Sequence, residues 1–177
     1  VTEGTKKAAR CFYALEQARA DRKRYPAVNP IDSYSKYIEY PEFEEYISKL
    51  ISPEWIPMVN EMKTIMQRGK EVQEQINILG DDGVPLEYHL TFWKSEVIDF
   101  VILQQDAFDP IDAVCPIERQ QYMLKLVMSV VRAEYTFDDF TQVMDYFKRL
   151  INALRQMNYS VFQSDAFHKH EAALQEI

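Results

Sequence analysis

The stretch Pro57-Met58-Val59-Asn60-Glu61-Met62-Lys63-Thr64-Ile65-Met66-Gln67-Arg68-Gly69-Lys70-Glu71-Val72-Gln73-Glu74-Gln75-Ile76-Asn77-Ile78-Leu79-Gly80 decides the fold. Met58, Met62, Ile65, Gly69, Val72, Ile76 and Leu79 recur at alternating spacings of four and three, with polar residues between them. That period makes one apolar seam along a helix of about three heptads. A coiled coil is the competing reading; Gly69 in the seam and the short length favour a long helix in antiparallel packing instead. Ser52-Pro53-Glu54 can supply the N-cap, the first helical position and an acidic first turn. Pro57 keeps open a regular start at its own position, because it lacks an N–H. At the other end Gly80 stands where a C′ residue belongs, and Gly80-Asp81-Asp82-Gly83-Val84-Pro85 is the strongest break in the chain. The chain must reverse there.

Helical signals continue on both sides. Downstream, Thr91 can cap a helix whose Phe92, Val97, Ile98, Val101 and Ile102 face inward, running to about Gln105. Asp109-Pro110-Ile111-Asp112 is a fixed turn, and Pro116 suits the first position of a helix carrying Met123, Leu126, Val127, Val130 and Val131. Thr136 can cap the next helix, striped with Phe140, Val143, Met144, Phe147, Leu150, Ile151, Leu154 and Met157, and a short last helix is expected from Ser164. Upstream, Ala8, Cys11, Phe12, Leu15 and Ala18 predict one helix from Thr5 to about Lys23, and Pro41 opens another through Leu50. Between these two, Arg24-Tyr25-Pro26-Ala27-Val28-Asn29-Pro30-Ile31-Asp32-Ser33-Tyr34-Ser35 holds two prolines that fix φ, with Asn29, Asp32 and Ser33 able to bond nearby backbone. The expected fold is an all-α helical bundle of about six or seven helices, without a convincing strand, forming a single domain over residues 1–177.

Composition narrows the function. The chain has 177 residues, 47% hydrophobic and 27% charged, with only 4 glycines and a net charge of −8. These are ordinary globular proportions, and so acidic a surface repels phosphate backbones and anionic lipid, which argues against nucleic acid or a membrane surface as a direct partner. No apolar run reaches the length of a transmembrane helix. Cys11 and Cys115 are expected as buried, reduced thiols in a cytoplasmic protein. The first residue is Val1 rather than Met, which suggests a fragment.

No catalytic centre is legible. A phosphate-binding loop G-x-x-x-x-G-K-[ST] is absent; Gly69-Lys70 is the only glycine followed by lysine, and it lies inside the helical seam. His168 and His170, two apart on a helix, point away from each other and make a poor metal site. His89 is expected to be exposed or capping, and neither cysteine has an activating partner nearby in sequence. The expectation is no catalytic and no metal residues in this chain.

Four segments, in order, resemble the catalytic A subunit of vacuolar and archaeal rotary ATPases. Val1-Thr2-Glu3 and Phe12-Tyr13-Ala14-Leu15 look like a strand end followed by the family's F-W-A-L helix. Tyr25-Pro26-Ala27-Val28-Asn29-Pro30 with Ser33 and Ser35 resembles its aromatic proline turn. Ile78-Leu79-Gly80-Asp81-Asp82-Gly83-Val84-Pro85-Leu86 is similar to its acidic reversal loop, and Leu103-Gln104-Gln105-Asp106-Ala107-Phe108-Asp109-Pro110-Ile111-Asp112 to its L-Q-Q-N-A-F-D-P-V-D. The resemblance thins after Tyr135.

The resemblance implies the C-terminal helical domain of that subunit, with ATP or ADP bound at its adenine end only and Mg2+ held by a preceding domain. It implies that Tyr25 and Phe108 stack on the adenine, that Gln104 or Gln105 lines the rim, and that Asp81, Asp82, Gly83, Val84 and Pro85 contact the central stalk. Its partners would be non-catalytic B subunits and the stalk, and its place the cytoplasmic head at the membrane surface. The isolated chain would then be inactive, whereas the parent subunit is an ATPase or ATP synthase. The alternative is a free-standing helical interaction module, for which 11 Tyr and 10 Phe could supply a binding surface.

Overall fold

In the structure, a computed structural model, residues 2–177 are described. Val1, part of the expected strand end, lies outside them. The fold is predominantly α-helical, as expected, with eight α-helices among the described residues: α1 Glu3–Ala8, α2 Gln17–Asp21, α3 Pro41–Leu50, α4 Trp55–Leu79, α5 Leu86–Ile98, α6 Ile117–Arg132, α7 Phe140–Asn158 and α8 Asp165–Ala173. Two compact units divide the chain, Val1–Lys63 and Thr64–Ile177.

In the N-terminal unit the expected single helix from Thr5 to Lys23 is broken. Helix α1 is capped by Thr2, whose Oγ1 accepts from Thr5 N, and it ends at Ala8. Two-residue strands then pair antiparallel, β1 Cys11–Phe12 with β2 Tyr34–Ser35. Further along, Leu15 bridges Val28, Asn29 N donates to Ala14 O at 2.7 Å, and Glu16 N donates to Ala27 O at 2.9 Å. These main-chain groups are spent on the returning proline segment, so none remains for a helix through Phe12-Tyr13-Ala14-Leu15. The supposed buried stripe is not buried either: Leu15 is 84% exposed and Cys11 is exposed. Five apolar residues at helical spacing were too few to outweigh the extended preference of Cys, Phe and Tyr.

Helix α3 follows its sequence signal, with Pro41 at its first position, and Ile47 is its one buried residue. Ahead of α4, Ser52 Oγ accepts from Glu54 N at 3.2 Å and the regular helix begins at Trp55. Pro57 therefore falls in the first turn, where its missing N–H would have had no intrahelical partner.

The C-terminal unit is built around α7, which packs on α5 and α8. Its stripe reads as expected: Val143, Phe147, Leu150, Ile151, Leu154 and Met157 are buried. Each such side chain stabilises the fold by roughly 1.5–3 kcal/mol when fully buried. Helix α6 packs on α5 instead, and its Met123, Leu124, Val127, Met128 and Val131 are buried. Two cap assignments change. Helix α7 is capped by Asp139, whose Oδ1 accepts from Gln142 N at 2.9 Å, rather than by Thr136. Helix α5 starts straight after Pro85, and Thr91 sits inside it, its hydroxyl donating back to Glu87 O at 2.9 Å. Threonine satisfies itself this way within a helix, so it is an ambiguous start signal. Ser164 does cap α8, accepting from Phe167 N at 3.2 Å.

Helix α4 ends as its sequence requires. Gly80 N donates to Ile76 O at 2.8 Å, and Gly80 has φ 81° and ψ 166°, a conformation essentially reserved to glycine. Asp81–Gly83 then forms one 3₁₀ turn before α5.

Candidate nucleotide and stalk-facing sites

The expected site residues fall into three places. Tyr25 belongs to the N-terminal unit; the acidic loop and residues 104–108 belong to the C-terminal one.

Tyr25 stands between α2 and the segment that returns along residues 14–16, and its side chain is 55% exposed. The turn behind it is built by Asn29. The Asn29 Oδ1 accepts from Ile31 N at 2.8 Å and Asp32 N at 3.1 Å, while its Nδ2 donates to Asp32 Oδ2 at 2.8 Å. Ser33 Oγ accepts from Ala14 N at 3.0 Å, tying the turn to the extended strand. With Asn29 6% exposed, the turn is a fixed platform.

The second turn repeats this construction. Ala27-Val28-Asn29-Pro30-Ile31-Asp32 and Ala107-Phe108-Asp109-Pro110-Ile111-Asp112 share a pattern, and Asp109 Oδ1 likewise accepts from Ile111 N and Asp112 N, both at 2.8 Å. A side-chain acceptor followed by proline fixes the same local geometry in both places. Phe108, at the head of this turn, is 98% exposed. Its N–H is held by Asp106 Oδ1 at 2.9 Å, and Asp106 N donates to Asp112 Oδ2 at 2.6 Å. The two glutamines differ. Gln105 Nε2 donates to Asp112 O at 2.7 Å and so braces the turn, whereas Gln104 Nε2 is shielded from solvent and has no hydrogen-bond partner.

Beneath this turn lies a residue the sequence did not single out. Arg119 is 2% exposed. Its Nη1 donates to Ile111 O at 3.2 Å and Asn158 O at 3.0 Å, its Nη2 to Asp112 O at 3.4 Å, and its Nε to Cys115 Sγ at 3.1 Å; Nη2 also lies 3.5 Å from Asp112 Oδ1. Burial pushes the Asp112 carboxyl up, opposed by the Asp106 N–H and by Arg119, with Asp109 and Asp106 as the facing acids. A carboxyl raised on folding stabilises the fold below the ordinary carboxylate range, and that contribution is lost as pH rises through the folded value. The charged form of Asp112 therefore carries a burial cost that the Asp106 N–H and Arg119 offset in part. Cys115 is half-buried rather than buried, and both cysteines are free.

Helix α5 passes into a π-helical turn, Asp99–Leu103, instead of continuing regularly to Gln105. Gln104 N donates to Asp99 O at 3.0 Å, and the displaced Val101 carbonyl accepts from Asn158 Nδ2 at 2.8 Å. Such wide turns need an outside partner for the carbonyls they release.

At the start of α5 the acidic loop is open: Asp81, Asp82, Gly83 and Pro85 are exposed, Val84 is half-buried, and the neighbouring Ile78 and Leu79 are 80% and 59% exposed. His89, expected to be exposed or capping, is buried at 4%; its Nε2 lies 2.9 Å from Asp81 O and its ring stacks on Phe140 at 5.2 Å. It is a cap on the loop. His168, weighed as a metal ligand, pairs through Nδ1 with Glu171 Oε2 at 3.2 Å. Glu171 also accepts from Tyr122, whose hydroxyl that bond pushes up to about 12. This cluster joins α6 to α8.

The chain is thus predominantly α-helical, with a braced aromatic turn in each of its two units and an acidic helical hairpin tip in the second. Residues 44–136 match the family described as the C-terminal domain of V and A type ATP synthase, and the chain belongs to that family. It is 33% identical over 177 residues to a V-type ATP synthase alpha chain from Protochlamydia amoebophila, covering 100% of this chain and 29% of that protein. Proteins of the same name from Treponema denticola and Borrelia duttonii are 31% and 30% identical, with 97% and 100% of this chain covered and 27% and 28% of theirs. The chain thus spans less than a third of the length of these relatives. Among the described residues no helix is long and apolar enough to cross a membrane.

Proposed function

We propose that this chain is the C-terminal domain of the catalytic subunit of a V/A-type rotary, ion-translocating ATPase. In this reading it supplies adenine contacts to the nucleotide site and carries nucleotide state to the central stalk. The observation that carries the adenine assignment is Phe108: a phenyl ring 98% exposed, on a turn whose backbone is held by Asp106, Asp109 and Asp112. An apolar ring standing in water on a held backbone is a stacking platform awaiting a flat partner, and base stacking of this kind is worth about 1–3 kcal/mol. Tyr25, on the matching turn, is proposed as an adenine contact in its own right, and Gln104, with its unpartnered amide nitrogen, as a rim donor. Gln105 is assigned to bracing the loop. Phosphates and Mg2+ are proposed to be held by the rest of the subunit, alongside non-catalytic B subunits.

The acidic tip is proposed as the stalk contact. Ile78 and Leu79 leave apolar surface beside Asp81 and Asp82, the mixture expected of a sliding protein contact. Helix α5 leads from this tip to the π turn and then to the Phe108 turn, a continuous path within one compact unit. Replacing Phe108 with alanine in the assembled enzyme is expected to raise KM for ATP by roughly 5- to 150-fold, the span of that stacking energy, with little change in kcat. Steady-state hydrolysis measures both, and an unchanged KM would remove Phe108 from the site.

A further inference from the structure

The head of the Phe108 turn lies in solvent. Gln105, Asp106, Ala107 and Phe108 are all exposed, and the restraints on them run through polar atoms that converge on Asp112. Asp112 in turn rests on Arg119. The same guanidinium grips Ile111 O in the turn and Asn158 O at the end of α7, and Asn158 reaches back to Val101 O in the π turn. One buried residue thereby fastens the aromatic turn to two helices.

We propose that Arg119 is a positioning residue of the nucleotide site: it fixes the posture of Phe108, and through it the affinity for adenine, without itself touching nucleotide. The inference rests on the adenine reading above. A buried ion pair is weak evidence for stability, since a well-packed apolar replacement often serves as well. What an arginine adds is a planar fork with five donors in fixed directions, and four of its partners here belong to the turn or to the α7 terminus bracing it. An aromatic residue whose backbone is already held avoids part of the ordering cost of binding. Lysine keeps the charge but loses the fork, so it separates geometry from electrostatics.

The test is a double-mutant cycle in the assembled enzyme, using ATP as the probe and reading KM and kcat separately. Arg119→Lys is expected to raise KM about three- to tenfold, the scale of ordering one side chain, while leaving kcat unchanged. In a Phe108→Ala background the same change is expected to add nothing. Asp112→Asn, nearly isosteric, runs in parallel in case Arg119→Lys fails to assemble, and is expected to show the same non-additivity. If Phe108→Ala raises KM but Arg119→Lys and Asp112→Asn do not, or their effects add to it, or they lower kcat instead, the positioning role is wrong while the adenine reading stands. If Phe108→Ala leaves KM unchanged, the adenine reading fails and this inference falls with it.

Discussion

Deleting Asp82 to Pro85 from the assembled enzyme is expected to leave ATP binding and hydrolysis in place while the number of ions moved per ATP falls severalfold. The deletion removes the exposed half of the hairpin tip. It spares the Phe108 turn, Arg119 and the buried faces of α6 and α7, so the Phe108 end keeps its geometry. What it disturbs is how Ile78 and Leu79 are presented. Each is an apolar side chain left largely in water, with roughly 1–2.5 kcal/mol of burial still available to a partner. The bonds that hold the tip include His89 against Asp81 O and the Gly83 N–H on Gly80 O at 3.1 Å. Its shape is thus a local property that can be lost without unfolding the bundle. Hydrolysis and ion flux measured on the same reconstituted preparation give the ratio, and an unchanged ratio would sink the stalk assignment.

Gly69→Ala is expected to destabilise the C-terminal unit by about 1–3 kcal/mol, although alanine in a helix interior ordinarily gains about 0.5–1 kcal/mol over glycine. The reversal of sign comes from one contact. A Cβ built on Gly69 would lie well inside contact distance of the Ser95 Oγ and Cβ on α5. Ser95 is 7% exposed and its hydroxyl donates to Phe92 O at 2.7 Å, so it has little room to yield. Glycine here allows α4 and α5 to approach closely. In a thermal melt the loss corresponds to a Tm lower by about 2–12 °C, at 2–4 °C per kcal/mol for a chain of this size. Adding Ser95→Gly should restore much of it, because the colliding atoms are then gone. A Gly69→Ala variant as stable as the parent would show that the two helices do not pack as described.

The legible parts of this fold are those signalled by one decisive residue or by a long period. Gly80 at the end of α4, Pro41 opening α3, Ser164 capping α8 and the stripe of α7 each act locally, so sequence neighbours suffice. Residues 5–23 were misread because a short apolar pattern fits a helix and a half-exposed strand equally, and the deciding partners are at residues 27–36. Thr91 and Thr136 misled because threonine can cap a helix or bond within it; Pro85 and Asp139 mark the actual starts.

The site divides the same way. The acidic tip follows from its glycine and aspartates, and both proline turns follow from an acceptor side chain before proline. Their likeness to each other was also there to be read, in the shared Pro-Ile-Asp after Asn29 and Asp109. Roles for Tyr25 and Phe108 came from resemblance, because an exposed aromatic does not by itself name a ligand. Arg119 was out of reach: between Glu118 and Gln120 it reads as a surface cation, and its burial is created by a carbonyl on Asn158, far along the chain. The π turn is equally non-local, stabilised by Asn158 on Val101 O.

The central claim is that this domain faces the adenine ring. Photolabelling the assembled enzyme with 2-azido-ATP, followed by peptide mapping, tests it most directly, because the reactive group sits on the base itself. The account predicts label on Tyr25 or within residues 104–108, displaced by excess ATP. Label confined to other parts of the enzyme, with none on these residues, would contradict it.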